Sequence, residues 1–297
     1  MKRLVVLGAG ESGVGTAILG KQKGYDVFVS DRGKIKEEYK KVLKHFEIEW
    51  EENQHSEAKI LKANLVMKSP GIPDTISLVK KLVVKNILVI SEIEFASKYT
   101  NASIIGITGS NGKTTTTMLT NHLLKANGFA VGMAGNIGDS YAKMVAENDF
   151  SHYVLEISSF QLDGVVDFKP KVAIITNITP DHLDRYEYKF EKYIASKFKI
   201  AKNQDENDFL VYDADDEVLV KWLKEHPVQS KLIPFSLKRE LECGAWLDKN
   251  IIRIKIDTKT LKMSSDFLPL DGQHNVKNAM AGSLASLLVN VRKETIL

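Results

Sequence analysis

The chain has 297 residues, of which 43% are apolar and 27% are charged, and its formal net charge is +3. This length favours two domains with separate cores, and the weakly basic balance suits anionic small molecules without implying nucleic acid. The single cysteine, Cys243, excludes an intrachain disulfide and a thiolate metal site, and no apolar run is long enough to span a bilayer. We therefore expect a cytoplasmic, monomeric protein without a membrane partner.

Residues 1–92 alternate strand and helix patterns. RLVVLGAG predicts a strand, GVGTAILGKQKG a helix ended by Gly24, and YDVFVSD the next strand. A helical stretch at 35–45 follows, with the mixed charges of a solvated face. The segments FEIEWEE, ANLVMKSPGIP, ISLVKKLVVKN and ILVISEIEFAS continue the alternation. This order predicts a Rossmann-like domain built on a doubly wound parallel sheet.

A second α/β domain is predicted from residue 93 to residue 297, after a polar boundary within 91–101. SIIGITGSNGKTTTTMLTNHLLKANG reads as a strand, a glycine turn and a helix ended by Gly128. Further strands are predicted in HYVLEISSF, KVAIITNITPDHLDRY, DFLVYDADD, LIPFSL and IIRIKIDTKTLKM, and a closing helix in QHNVKNAMAGSLASLLVN. The pattern favours an α/β domain of the P-loop ATPase type.

The first glycine turn, Gly8-Ala-Gly10-Glu-Ser-Gly13, matches GxGxxG between a strand and a helix. Such a turn presents backbone N–H groups and a helix N-terminus to a diphosphate, and Asp31 at the end of the next strand can accept a bond from a ribose or a base. The pattern indicates a nucleotide diphosphate but not its identity. NAD and a purely structural use of the glycines both remain open on this evidence.

The second glycine turn departs from the usual P-loop spacing, because Ile107 stands where the first glycine belongs. The remaining parts are present in Gly109, Ser110, Asn111, Gly112, Lys113, Thr114 and Thr115. Glycines let the backbone surround phosphates, Lys113 can reach the β and γ oxygens, and the Thr114 hydroxyl can bind Mg²⁺. The turn therefore predicts an ATP site.

GSNGKTTTT is followed in order by AGNIG, LEISSFQL, TNITPDHLDRY, YIASKFK and GQHNVKNA. Together these motifs resemble the Mur ligases of peptidoglycan synthesis over essentially the whole chain. One group of members adds D-glutamate to UDP-N-acetylmuramoyl-L-alanine through an acyl phosphate. The chain resembles this group in the motif SSFQL and in an N-terminal domain that contains GAGESGVG and SPGIP. The resemblance implies that the first turn holds the UDP of a sugar nucleotide and the second holds ATP.

The resemblance also implies site residues. Glu156 and His182 resemble ligands of two Mg²⁺ ions, and Lys197 resembles a lysine that is carbamylated and so made anionic. Asn275 and Asn278 resemble a pair that contacts adenine, and their i, i+3 spacing puts them on one helix face. The residues that resemble substrate contacts are Ser12, Asp31, Arg32, Ser69, Pro70 and Gly71 for UDP, and Asn136, Ser158, Ser159 and Gln161 near the peptide end.

Family members carry a third, C-terminal domain that binds the incoming amino acid, and this sequence ends at Leu297, where that domain would begin. We therefore expect both nucleotide sites here, with D-glutamate bound in the missing domain and no ligation by this chain alone. An NAD-binding oxidoreductase or sensor is an alternative that leaves GSNGKTTTT unexplained. A folylpolyglutamate synthase-like ligase is another, but it would not need the N-terminal domain.

Overall fold

The computed structural model describes residues 1–268 and 272–297, which divide by packing into two compact units. The first unit comprises residues 1–101, 138–149 and 160–168, and the second comprises the rest of the described chain. The first unit thus continues past residue 92 and takes in two segments from later in the sequence. The sequence boundary at residue 92 stays a prediction.

A five-stranded parallel sheet forms the centre of the first unit, in the order β3-β2-β1-β4-β5. Its strands are β1 (Arg3–Leu7), β2 (Asp26–Ser30), β3 (Glu49–Glu51), β4 (Leu65–Lys68) and β5 (Leu88–Ile90). The helices between them and after β5 are α1 (Glu11–Gln22), α2 (Glu37–His45), α3 (Glu57–Ile60), α4 (Ser77–Val84) and α5 (Glu92–Ser97). This is the predicted Rossmann-like order, in which the chain reverses direction beside β1 and leaves a crevice at the strand ends.

Burial explains these elements. Residues 4–7 of β1 are fully buried, as expected for the central strand of a parallel sheet covered on both faces. A side chain at Gly13 would collide with the backbone oxygen of Gly8 and lie 3.3 Å from Val6, so that glycine lets the start of α1 lie against the turn that follows β1. Helix α2 buries only Leu43, which fits the predicted solvated face.

A nine-stranded sheet forms the second unit, in the order β14-β13-β12-β11-β10-β9-β6-β8-β7. Its strands are β6 (Ser103–Thr108), β7 (Val131–Gly135), β8 (His152–Glu156), β9 (Val172–Ile175), β10 (Phe209–Asp213), β11 (Lys231–Ser236), β12 (Gly244–Asp248), β13 (Ile251–Ile256) and β14 (Lys259–Ser264). Strands β6 to β12 pair in parallel, and β13 and β14 add an antiparallel edge. The parallel part matches the predicted P-loop ATPase type.

The later helices are α6 (Lys113–Ala126), α7 (Tyr141–Glu147), α8 (Ser159–Leu162), α9 (Phe190–Phe198), α10 (Glu217–Glu225), α11 (Gln273–Leu288) and α12 (Lys293–Ile296). Helix α7 belongs to the first unit, where its cap Ser140 would touch any side chain at Gly15 of α1. Helix α11 packs beside α6 and is buried continuously from Asn278 to Leu287. No helix in the described ranges combines the length and apolarity needed to cross a membrane.

Candidate nucleotide sites

A cleft of about 730 Å³ lies in the first unit, beyond the carboxyl ends of β1, β2 and β4. Its lining includes the predicted residues Gly8, Gly10, Asp31, Arg32, Ser69 and Gly71. The backbone N–H of Ile72 donates to Ser69 O at 3.0 Å and closes the turn that carries the last two of these residues. The structure therefore brings together most of the positions predicted from separate motifs.

Asp31 organises the glycine turn. One carboxylate oxygen accepts a 2.6 Å bond from Ala9 N–H, and the other accepts a 2.7 Å bond from Gly33 N–H. Gly8 has a φ of +95°, and a side chain there would lie 2.9 Å from Ser69 Cβ. A left-handed glycine and a carboxylate bound to the backbone thus fix the turn before any ligand arrives.

Ser12 and Pro70 lie outside the lining of this cleft, although both were predicted to contact UDP. Ser12 is in the first turn of α1, where its side chain is hydrogen-bonded to the carboxyl group of Glu92. Glu92 is buried, and this burial raises its pKa. His55, by contrast, lines the cleft and was not predicted. No motif pointed to it, since a single histidine before a helix carries no signature.

The phosphate loop of the second unit joins β6 to α6. Gly109 has a φ of +148°, and a side chain there would lie 3.1 Å from Thr176 Cβ. Gly112 has a φ of +79° and precedes the first turn of α6, where unpaired backbone N–H groups favour an anion. The loop therefore has the conformation that only glycine adopts without strain, despite its unusual spacing.

Asn177 holds the tip of this loop and was not predicted as a site residue. Its side-chain oxygen accepts from Asn111 N–H at 2.9 Å, and its amide group donates to Asn111 O at 3.0 Å. Its backbone oxygen accepts from Ser110 N–H at 2.9 Å. The available signal was its place in the motif TNITPDHLDRY, two residues after the end of the buried strand β9.

Two lysines meet at one carbonyl oxygen of the loop. Lys113 Nζ donates to Gly109 O at 3.0 Å, and Lys197 Nζ donates to the same atom at 2.7 Å. Lys197 is 2% exposed, and burial together with the charge of Lys113 lowers its pKa to about 7. The ring centroid of Tyr193 lies 4.6 Å from Lys197 Nζ, and the Tyr193 hydroxyl lies 3.2 Å from Ser110 Oγ. The Lys113 ammonium group at this loop suits a polyphosphate.

Glu156 joins two other predicted residues. Its carboxylate accepts from Thr114 Oγ1 at 2.7 Å and from Asn136 Nδ2 at 2.8 Å, and it is 2% exposed. Neighbouring ligands in an octahedral Mg²⁺ site, at about 2.1 Å from the ion, are about 3 Å apart. The hydroxyl and carboxylate oxygens therefore fit as adjacent ligands of one Mg²⁺.

His182, the other predicted metal ligand, lies at the start of a short 3-10 helix. Its side chain is exposed, and Nε2 lies 3.4 Å from an oxygen of Asp181. Within residues 1–268 and 272–297, no cluster of three or more His, Cys, Asp or Glu side chains forms a ready metal centre.

The predicted adenine pair lies beside the loop. Asn278 Nδ2 donates to Asn275 Oδ1 at 3.3 Å, and Asn278 Oδ1 accepts from Thr116 Oγ1 at 3.2 Å. Both asparagines line a largely apolar pocket of about 250 Å³, together with Thr115, Met118, Leu119, Leu268 and Ala279. An apolar pocket edged by carboxamides suits a planar base. Of the remaining predicted residues, Ser158 is half-buried, and Ser159 and Gln161 are buried.

Comparisons with known proteins agree with these features. The Mur ligase middle domain model matches residues 107–286, and the MurD N-terminal domain model matches residues 3–77. The UDP-N-acetylmuramoylalanine--D-glutamate ligase of Christiangramia forsetii is 58% identical over 99% of this chain, and that of Porphyromonas gingivalis is 47% identical over 99%. The chain spans 66% of the length of these curated relatives.

Solved structures share the fold. The UDP-N-acetylmuramate:L-alanyl-gamma-D-glutamyl-meso-diaminopimelate ligase of Neisseria meningitides superposes with a TM-score of 0.67 at 20% identity, covering all of this chain and 96% of that one. MurC of Thermotoga maritima gives 0.58 at 22% identity, covering all of this chain and 67% of that one. Because one family model covers more than half of the sequence, the chain belongs to the Mur ligase family.

Proposed function

We propose that this chain carries the nucleotide-binding and carboxylate-activating parts of an ATP-dependent ligase that joins D-glutamate to UDP-N-acetylmuramoyl-L-alanine. The observation that carries the proposal is the convergence of Lys113 and Lys197 on Gly109 O, beside the contact between Thr114 and Glu156. The names of the relatives support the choice of substrates. The NAD alternative rests only on the first glycine turn, and no feature of the second unit favours it.

The proposed chemistry has two steps. A carboxylate oxygen of UDP-N-acetylmuramoyl-L-alanine attacks the γ-phosphorus of ATP, the bond to the bridging oxygen breaks, and ADP leaves. The amine of D-glutamate then attacks the acyl carbon, phosphate leaves with its electron pair, and the nitrogen loses a proton. Lys113 contributes by leaving the loop carbonyls to bind the β and γ oxygens, where charge builds up.

Mg²⁺ would be held by Thr114 and Glu156, where it would neutralise phosphate charge. For a second ion we propose His182 and carbamylated Lys197. With a pKa of about 7, Lys197 has a substantial neutral fraction near neutral pH, so its nitrogen can attack CO₂ and lose a proton to give a carbamate. Its burial beside Gly109 is the observation that supports this modification.

Each ligand is assigned to the predicted residues that suit it. We assign UDP to the cleft lined by Asp31, Arg32 and Ser69, and adenine to the pocket lined by Asn275 and Asn278. Asn136, which binds Glu156, and Ser158 are assigned to the peptide end of the sugar nucleotide. Reliance on ATP and the single cysteine support a location in the cytoplasm.

Calorimetry tests these assignments. The chain is titrated with MgATP, with UDP-N-acetylmuramoyl-L-alanine and with NAD, and we expect the first two to bind at separate sites with unit stoichiometry. Asp31→Ala serves as the control for the first unit, since it should weaken only the sugar nucleotide. Tight NAD binding without sugar-nucleotide binding would overturn the proposal.

A further inference from the structure

We infer that His55 is a specificity-determining residue of the UDP cleft, where its Nε2 accepts a hydrogen bond from a donor group of the uridine. This inference rests on the proposed function, because it takes the cleft to hold a uridine nucleotide. His55 lies between β3 and α3 and lines the cleft together with Asp31 and Arg32.

A relay of hydrogen bonds fixes the orientation of the ring. Ser30 Oγ donates to Glu51 Oε1 at 2.7 Å, and His55 Nδ1 lies 2.7 Å from Ser30 Oγ. Because the hydroxyl has one proton and gives it to the carboxylate, its oxygen accepts from His55. Nδ1 therefore carries the hydrogen, and Nε2 is left with its lone pair.

The end of the relay is an ionised acceptor. Glu51 is buried, which by itself raises its pKa, but hydrogen bonds from Ser56 and Ser30 bring that pKa below the usual value. The Ser56 N–H donates to the same oxygen, Oε1, at 2.7 Å. A carboxylate held in this way accepts the Ser30 proton throughout the neutral range.

The acceptor atom Nε2 indicates that a ligand supplies the hydrogen-bond donor. Throughout residues 1–268 and 272–297, no hydrogen-bond partner for His55 Nε2 is found. A uridine offers three groups that such an acceptor can take, namely the N3–H of the base and the two ribose hydroxyls. The same atom would not recognise a phosphate oxygen, which has no proton to give.

Burial of the ring favours its neutral form and outweighs the net effect of the charged groups around it. Burial lowers the pKa of His55, Asp31 and Glu51 raise it, and Arg32 lowers it again. Glu57 is the other charged residue in the cleft lining. Protonation would convert Nε2 from an acceptor into a donor, so uridine affinity should be full above pH 6.5 and fall as the ring is protonated below it.

The test compares His55→Phe, His55→Gln and wild type, with His45→Phe as a control because His45 is an exposed histidine outside the cleft. UDP affinity is measured by calorimetry, and uridine affinity by NMR titration from pH 8 to pH 5.5. His55→Phe should bind UDP about two- to tenfold more weakly, the loss of one neutral hydrogen bond. His55→Gln, which keeps an acceptor, should recover part of the loss, and only wild type and His45→Phe should lose uridine affinity at low pH.

Analogues identify the donor. The His55→Phe effect should vanish for one of 3-methyl-UDP, 2′-deoxy-UDP and 3′-deoxy-UDP, whichever lacks the group that binds Nε2. Unchanged UDP affinity in His55→Phe, or wild-type uridine affinity that rises as the pH falls, would overturn the role of His55 alone. Wild type that binds neither UDP nor uridine would instead overturn the proposed function, and this inference with it.

Discussion

Replacing Lys197 with methionine removes a buried amine that destabilises the fold. The side chain is 2% exposed, and burial and the charge of Lys113 lower its pKa from 10.5 to about 7. Methionine has a similar length and needs no hydrogen-bond partner. Gly109 O also keeps its 3.0 Å bond from Lys113 Nζ, so the substitution leaves no loop carbonyl unpaired.

The pKa shift sets the magnitude and the sign. Between pH 7 and pH 10.5 the unfolded chain holds a lysine proton that the folded chain has lost, so wild-type stability rises with pH in this window. The destabilisation from Lys197 is then about 4 kcal/mol at pH 7 and about 2 kcal/mol at pH 9. We expect Lys197→Met to be the more stable protein at pH 7, with an advantage that shrinks by about 2 kcal/mol at pH 9.

Urea unfolding at pH 7 and pH 9 in CO₂-free buffer, in which Lys197 stays a free amine, measures this difference by circular dichroism. Lys192→Met, at an exposed position of the same helix α9, is the matched control, and its difference from wild type should be the same at both pH values. Lys197→Met should also lose carboxylate activation if carbamylated Lys197 binds the second ion. A Lys197→Met protein less stable than wild type at pH 7, or an advantage independent of pH, would refute the reasoning.

Three further predictions concern the other charged residues. Lys113→Ala should weaken MgATP binding about ten- to a hundredfold by calorimetry, since one charge-assisted contact is worth about 1.5–3 kcal/mol, and it should leave UDP binding unchanged. Asp31→Ala should weaken UDP-sugar binding in the same assay but leave MgATP binding unchanged, because it frees the Ala9 N–H of the glycine turn; equal loss of both ligands would contradict this. Lys277→Met should lower the free energy of unfolding by up to about 3 kcal/mol, because the buried Asp213 loses its 2.6 Å ion pair. Adding Asp213→Asn should restore most of that stability in urea unfolding, and no recovery would contradict the ion-pair explanation.

Much of the fold could be predicted because its strands are apolar runs that end in glycine turns or in hydroxyl residues. The segments of β1, β6 and β8 have this form, and each is almost wholly buried between helices. Strands β7 and β12 were not predicted. VGMAG contains two glycines, and GAWLD begins with glycine and ends with aspartate, so neither is a continuous apolar run. Pairing with neighbouring strands therefore decides their structure.

The sites could be predicted where a motif brings its residues together along the chain. Lys113 and Thr114 belong to one such turn, whereas Asn177 acts through a contact across 66 residues that no local pattern shows. His55 depends in the same way on its contact with Ser30, 25 residues away. The resemblance supplied Glu156 and Lys197, and the structure adds the burial and hydrogen bonds that make their proposed roles chemically reasonable.

Trapping of an acyl phosphate tests the central claim most directly. The chain is incubated with UDP-N-acetylmuramoyl-L-alanine, MgATP and hydroxylamine, and the sugar-nucleotide hydroxamate is measured by mass spectrometry. The account predicts hydroxamate that requires both the sugar nucleotide and MgATP and that is lost in Lys113→Ala. Binding of both nucleotides without any hydroxamate, or equal hydroxamate from Lys113→Ala, would contradict the assignment of carboxylate activation to these residues.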